Sequence, residues 1–167
     1  MNAEELKALQ APLKAQYRET PEAARHTLSV TGKVDVSSLT CRLNTAAGPV
    51  DSGLHPAAGG SGDEACSGDM LLEALIACAG VTFSAVATAM GLPIESASIT
   101  AEGVLDFRGT LGLSKEVPIG FESIHLKFDV VSDAPREQIE KLVELTERYC
   151  VILQSLKTPP PITAQLV

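Results

Sequence analysis

The stretch from Ser67 to Met90, SGDMLLEALIACAGVTFSAVATAM, limits what this chain can fold into more than any other. Its apolar residues fall on nearly every face of a helix, and such a helix in a soluble chain is one enclosed on most sides. A membrane span is the competing reading. Glu73 lies inside the stretch, Thr82, Ser84 and Thr88 interrupt its second half, and its uninterrupted apolar part is shorter than the roughly 20 residues a span needs. A buried central helix is therefore the expectation, with Ser67 or Asp69 as N-cap and Gly91 and Pro93 as the stop. The chain of 167 residues has room for one domain around it and does not require two.

The flanking segments supply the rest of that domain. Residues 3 to 17 predict an amphipathic helix with Leu6, Leu9 and Leu13 on one stripe and Pro12 weakening its second half, so residues 1–22 read as an N-terminal helical arm. From His26 the period becomes two: Leu28 and Val30, Val34 and Val36, then Leu39, Cys41 and Leu43 predict an antiparallel pair or meander turning at Gly32-Lys33. Residues 46–68 concentrate Gly, Pro, Ser and Asp and read as a long loop into the central helix. After it, Ile99, Ala101, Leu105 and Phe107 predict a strand with a possible bulge at Gly103, and Ile124, Leu126, Phe128 and Val130 predict a second.

A second helix starts at Ser132 or Asp133 with Pro135 in its first turn, and carries Ile139, Leu142, Val143, Thr146 and Tyr149 on one stripe as far as Cys150. Ile162, Ala164 and Leu166 suggest a terminal strand. Strands, helix, strands, helix, strand is an α+β order with mainly antiparallel sheets around the central helix.

The net charge of −8 and the absence of any Lys/Arg run argue against nucleic acid and against an anionic membrane surface as partners. MNAEELKALQAPLKAQYRE has no apolar stretch of the secretory kind, which makes the cytoplasm the expected compartment. In that compartment Cys41, Cys66, Cys78 and Cys150 are free, metal-bound or catalytic rather than a disulfide framework.

Cys78, nine residues after Asp69 on the central helix, is either an inert core cysteine or a nucleophile; a mid-helix thiol needs nearby help to ionise. Cys150 closes the second helix, where the negative end of the helix dipole disfavours a thiolate, so it suits the later-attacking partner, or simple core packing. Cys41, His55 and Cys66 lack metal-site spacing, and no metal or other cofactor is expected. Arg108, in LDFRGTLG, is a candidate to bind an anion or support a thiolate, against the alternative of an exposed turn arginine.

Taken in order, GDMLLEALIACAG, MGLPIES, AEGVLDFRG, GFESIHLKFDVVSDAP and the helix ending ERYC make the chain from about Ser67 to Cys150 resemble the OsmC-like family, which joins osmotically induced protein C and organic hydroperoxide resistance proteins. The resemblance implies an interwoven homodimer of α+β subunits with the Cys-bearing helix sandwiched at its centre. It also implies a thiol peroxidase that takes organic hydroperoxides and an external dithiol. Cys78 then matches the peroxidatic cysteine, Cys150 the resolving cysteine, and Asp69 the carboxylate of a Pro-x-Glu-Leu-Leu motif. The chain departs from the pattern at Ser67 for proline, Asp69 for glutamate and Val151 for the common proline after the resolving cysteine. The family's thiolate-stabilising arginine has only Lys33 or Arg42 as counterparts, with no motif to fix the match. A non-enzymatic protein of the same fold, binding a small hydrophobic molecule or acting as a stress-associated dimer, is the alternative reading.

Overall fold

The computed structural model describes residues 1–166, and within them the chain forms two compact units. One unit comprises Met1–Glu19, Ala74–Thr100 and the chain from Leu126; the other comprises Thr20–Glu73 and Ala101–His125. The architecture is α+β. Helix α1 spans Ala3–Glu19, strands β1 to β4 span Gly32–Asp35, Thr40–Thr45, Gly48–Gly53 and Ala65–Cys66, and helix α2 spans Ser67–Met90. Strand β5 (Ile94–Leu105), the short helix α3 (Phe107–Thr110), strand β6 (Phe121–Ser132) and helices α4 (Arg136–Tyr149) and α5 (Val151–Lys157) follow.

Helix α2 ends where its sequence predicts and begins at Ser67, so that both expected caps, Ser67 and Asp69, lie within its first turn. At its end Gly91 takes φ 65°, Gly91 N–H donates to Thr88 O at 3.1 Å and Leu92 N–H to Ala87 O at 3.1 Å. This paired reversal satisfies carbonyls that the helix itself leaves open, and it needs a glycine because other residues rarely adopt that φ. Only the row Leu75, Ala79, Phe83 and Ala87 is buried within a single chain, and Val81 on another face is 73% exposed. The expected enclosure on most sides is therefore not achieved by one chain alone.

The buried row of α2 meets α4. Leu142 is 0% exposed and forms a cluster with Phe83 and Ala87, around which Val86, Met90, Leu92, Ile94, Ile99, Phe128 and Val130 gather. Phe83 and Phe128 stack with ring centroids 6.0 Å apart. On α4 the buried positions run Leu142, Thr146 and then Cys150, one helical row at a spacing of four. Thr146 brings a hydroxyl into this row and satisfies it by donating to Leu142 O at 2.8 Å. Tyr149, expected on the same stripe, is instead 58% exposed with the Arg148 guanidinium 5.5 Å from its ring centre. It lies one position round from the Cys150 row, and that offset is enough to turn it out.

Strands β5 and β6 pair. Phe121 at the start of β6 lies against Gly103 near the end of β5, while Ser132 Oγ at the end of β6 donates to Pro93 O at 2.7 Å just before β5, so the strands run antiparallel. A Cβ at Gly103 would stand 2.5 Å from a Phe121 ring carbon; the glycine makes room for the ring. Phe107, expected in the first of these strands, belongs to α3, because Asp106 ends the strand by accepting the Arg108 N–H at 2.9 Å.

The second unit departs most from the sequence expectations. Leu28 and Val30 form no strand, and β1 starts at Gly32, where a turn was expected. The reversal falls later because Asp35 Oδ1 accepts both Ser37 N–H at 2.9 Å and Ser37 Oγ at 2.6 Å, closing the chain between β1 and β2. Residues 46–68 are not one loop, since β3 pairs with β2 in antiparallel register, Cys41 opposite Ser52 and Leu43 opposite Val50. Strand β4 adds two residues in parallel, with Ser52 opposite Ala65 and Gly53 opposite Cys66.

At the N-terminus, α1 runs through Pro12 to Glu19 and starts with a reciprocal cap between Asn2 and Glu5, both bonds 2.9 Å. Leu9 and Leu13 of its stripe remain exposed. No strand forms over 162–166, and Ile162 and Leu166 are exposed.

Because Leu142 is enclosed by both α2 and β6, Leu142→Ala leaves a cavity that its neighbours cannot fill. The expected loss is about 2–5 kcal/mol of unfolding free energy, to be read from the midpoint of urea denaturation at unchanged slope.

Candidate active site

Cys78 and Cys150 both belong to the first unit, and the fold brings their side chains together. Cys78 stands mid-helix on α2, beside the buried row but partly open to solvent. Cys150 is 0% exposed. It is a single extended residue (φ −71°, ψ 109°) between α4 and α5, so the chain breaks one helix and starts another within one position. Its own backbone groups stay satisfied: the N–H donates to Thr146 O at 2.9 Å and the carbonyl accepts Gln154 N–H at 3.0 Å. Gln154 Nε2 donates to Glu147 O at 2.8 Å and ties α5 back to α4.

That break has an electrostatic consequence. The first N–H groups of a helix have no partner in their own helix, and those of Val151 and Ile152 are spent on the Cys78 sulfur. Partial burial pushes the Cys78 pKa up. The Ile152 N–H, the Cys150 thiol, the Val151 N–H and the Thr82 hydroxyl oppose it, and their sum holds the Cys78 thiol below its ordinary value. Cys150 moves the other way, raised chiefly by burial and also by its contact with Cys78. Of the pair, the partly exposed Cys78 is thus the more acidic, and the buried Cys150 is the thiol that donates to it.

The cation that the sequence leaves missing is not among these donors; neutral groups do the work. The signal for it was Val151, since a proline there has no N–H to give. Thr82, one turn beyond Cys78, reads in the sequence only as a polar interruption of the apolar stretch, because threonine within such a helix carries no signature of a thiol donor.

The other predicted residues lie in the second unit. Arg108 is held by Asp106, which accepts its Nε at 2.9 Å and also its Nη2, and the pair lowers the Asp106 pKa and raises that of Arg108. This is the exposed turn arginine of the alternative reading, engaged by a carboxylate. Asp69 is exposed in the first turn of α2, where a negative charge complements the positive end of the helix dipole. Lys33 and Arg42 sit opposite one another across β1 and β2, and Arg42 pairs with Asp51 at 3.2 Å.

Cys41, His55 and Cys66 form no metal cluster among the described residues. Cys41 shares a sheet face with Ser52 and Ala65, which puts Cys66 on the opposite face. His55 stacks on Phe107 at 4.9 Å and accepts the Ala57 N–H at its Nδ1 at 3.0 Å.

A family model described as OsmC-like protein matches residues 60–165, more than half of the chain. The chain belongs to the OsmC-like family. Among solved structures it is similar to an OsmC-like protein from Mycoplasma pneumoniae, at 15% identity over 80% of this chain and 89% of that one, with a TM-score of 0.66. It is also similar to an organic hydroperoxide resistance protein OsmC from Legionella pneumophila (18% identity, 80% and 93% covered, TM-score 0.62). A third is the organic hydroperoxide resistance protein OhrB of Bacillus subtilis (19% identity, 80% and 93% covered, TM-score 0.53). At these identities the structural likeness is one of fold. No curated protein sequence matches the chain.

The Val151 amide gives a direct test. Proline fits the first position of a helix and tolerates an extended residue before it, so Val151→Pro removes one donor with little other change. A hydrogen bond to a charged group is worth about 1.5–3 kcal/mol, so alkylation of Cys78 by iodoacetamide at neutral pH slows by about tenfold or more. Its pH midpoint moves up while the circular dichroism spectrum stays that of the parent.

Proposed function

We propose that this protein is a thiol-dependent peroxidase that reduces organic hydroperoxides, with Cys78 as the peroxidatic and Cys150 as the resolving cysteine. The observation that carries the reading is the asymmetry of the pair: a partly exposed cysteine held toward its thiolate form beside a buried thiol. Membership of a family whose structures include organic hydroperoxide resistance proteins supports the substrate class.

The Cys78 thiolate attacks the terminal oxygen of the hydroperoxide. The O–O bond breaks, the alkoxide takes a proton and leaves as the alcohol, and Cys78 becomes a sulfenic acid. The Cys150 thiol then attacks the Cys78 sulfur, water departs and a disulfide forms. An external dithiol reduces it by exchange. No metal or organic cofactor enters these steps. Asp69, matching the family's carboxylate, is assigned the supporting role, and Arg108 is not needed while Asp106 holds it.

The working form is a homodimer in the cytoplasm, acting on small molecules rather than on nucleic acid or at a membrane. Support for the dimer comes from α2, where Ala74, Ala77, Val81 and Ser84 form an exposed row of small residues on a face that the chain does not cover.

With cumene hydroperoxide and dithiothreitol, Cys78→Ser is expected to lower turnover to the rate without protein, and turnover equal to the parent's would end the proposal. The thiolate is the reactive form, so the wild-type rate holds on the alkaline side and falls as pH drops through the depressed Cys78 pKa. Its midpoint therefore lies below the roughly 8.5 of a free thiol, as a stopped-flow pH series will read. The dimer has its own check. Val81→Asp at an exposed position costs the single chain little, within about 0.5 kcal/mol. Sedimentation is expected to show two chains per particle for the parent and one for the variant.

A further inference from the structure

Reduction of a Cys78–Cys150 disulfide can begin at either sulfur, and the two choices make different demands on the protein. We propose that the reducing thiol attacks the Cys78 sulfur, so that Cys150 is expelled first and Cys78 last. The inference rests on the cysteine pair of the proposed function and adds the order in which it is undone.

Thiol–disulfide exchange needs the incoming sulfur nearly in line with the bond it breaks, hence free approach to the far side of the sulfur attacked. Cys150 offers no such approach. It is 0% exposed and continues the row of Leu142 (0%) and Thr146 (1%), with Leu153 (9%) closing the next turn. Baring it means opening the junction of α4 and α5, whose bonds are Cys150 N–H to Thr146 O, Gln154 N–H to Cys150 O and Gln154 Nε2 to Glu147 O. Cys78 is itself partly open to solvent, and it lies between the buried row of α2 and the Ala77–Val81 row assigned to the dimer without belonging to either.

Leaving-group chemistry pulls against access in this first step. Cys78 is the more acidic thiol of the pair and would be the better group to expel. Access prevails, because a better leaving group only accelerates an attack that can take place, and an enclosed sulfur must first be uncovered.

The electrons then follow one route. The incoming thiolate forms a bond to Cys78, the S–S bond breaks, and Cys150 takes the electron pair and a proton and returns to its buried thiol state. The second thiolate of the dithiol attacks the reductant's own bonded sulfur and expels Cys78, closing the oxidised reductant as a cyclic disulfide. This last step releases the acidic member of the pair, directly in its reactive form. A monothiol lacks that second sulfur, and the freed Cys150 beside the adduct reverses it.

The test uses the wild-type chain. The disulfide is formed with one equivalent of cumene hydroperoxide and, separately, with diamide; each sample is pulsed with glutathione, quenched in acid and mapped by mass spectrometry. The expected result is an adduct on Cys78 exceeding that on Cys150 by about tenfold or more, with a rate that rises linearly with thiol. An adduct mainly on Cys150, or a rate that reaches one plateau shared by glutathione and mercaptoethanol, overturns the inference, because the plateau is the opening of the buried junction. Failure of peroxide but not diamide to form the disulfide defeats the peroxidase reading and leaves the site of attack to be read from the diamide sample. If neither forms it, both fall.

Discussion

Leu142 against Phe83 and Ala87 is the contact on which the rest of the site hangs. It fixes α4 on α2 at a particular rotation, and with Thr146 and Cys150 following on the same row, that rotation delivers the end of α4 to the middle of α2. A helix row advances by about 6 Å at each step of four residues, so Leu142 and Cys150 are about 12 Å apart. Cys78 precedes Phe83 and Ala87 by five and nine residues on α2, about 7.5 and 13.5 Å along the other helix, and these bracket that distance. Two helices in contact near Leu142 and Phe83 thus meet again at the cysteines without any loop having to aim either sulfur.

The break at Cys150 then converts packing into chemistry. Had α4 continued unbroken, the N–H groups of Val151 and Ile152 would bond to carbonyls four residues back and be lost to Cys78. One extended residue frees them. Backbone donors keep their direction because the helix holds them, so little conformational entropy is lost when the thiolate forms, whereas a long arginine side chain must be ordered first. Burial opposes ionisation at both sulfurs, but only Cys78 receives enough donors to overcome it. The same desolvation therefore separates the two roles.

The sequence was most informative where periodicity and caps coincide. Helix α2, the alternation of β6 and the row ending at Cys150 are all visible in it, because each depends on local spacing and one burial face. Strand β3 was hidden by Gly48, Pro49, Asp51 and Gly53, poor strand formers that pair because Val50 and Ser52 find Leu43 and Cys41 on β2. The exposed run at Leu28 and Val30 misleads for the converse reason: alternation is only a promise of pairing, and no strand takes it up. At the candidate site the helices place both cysteines, but what singled them out was the family resemblance, since each on its own reads equally well as core packing. Their donors were not legible, since a backbone N–H leaves no mark in a sequence except where proline would have removed it.

Helix α2 exposes the remaining tension. By length and composition alone it is apolar enough to cross a membrane, yet its buried row is committed to Leu142 and the neighbouring hydrophobic cluster. On its uncovered face Ala74, Ala77 and Ser84 accompany Val81. Small residues in a row let the backbone of another helix approach closely. In the dimer proposed above, α2 would be buried on two opposed sides, by its own α4 and by the second chain. Cys78 lies between those sides, near the uncovered row without belonging to it, so a partner helix can narrow the approach to its sulfur while Cys150 stays sealed by the chain's own core.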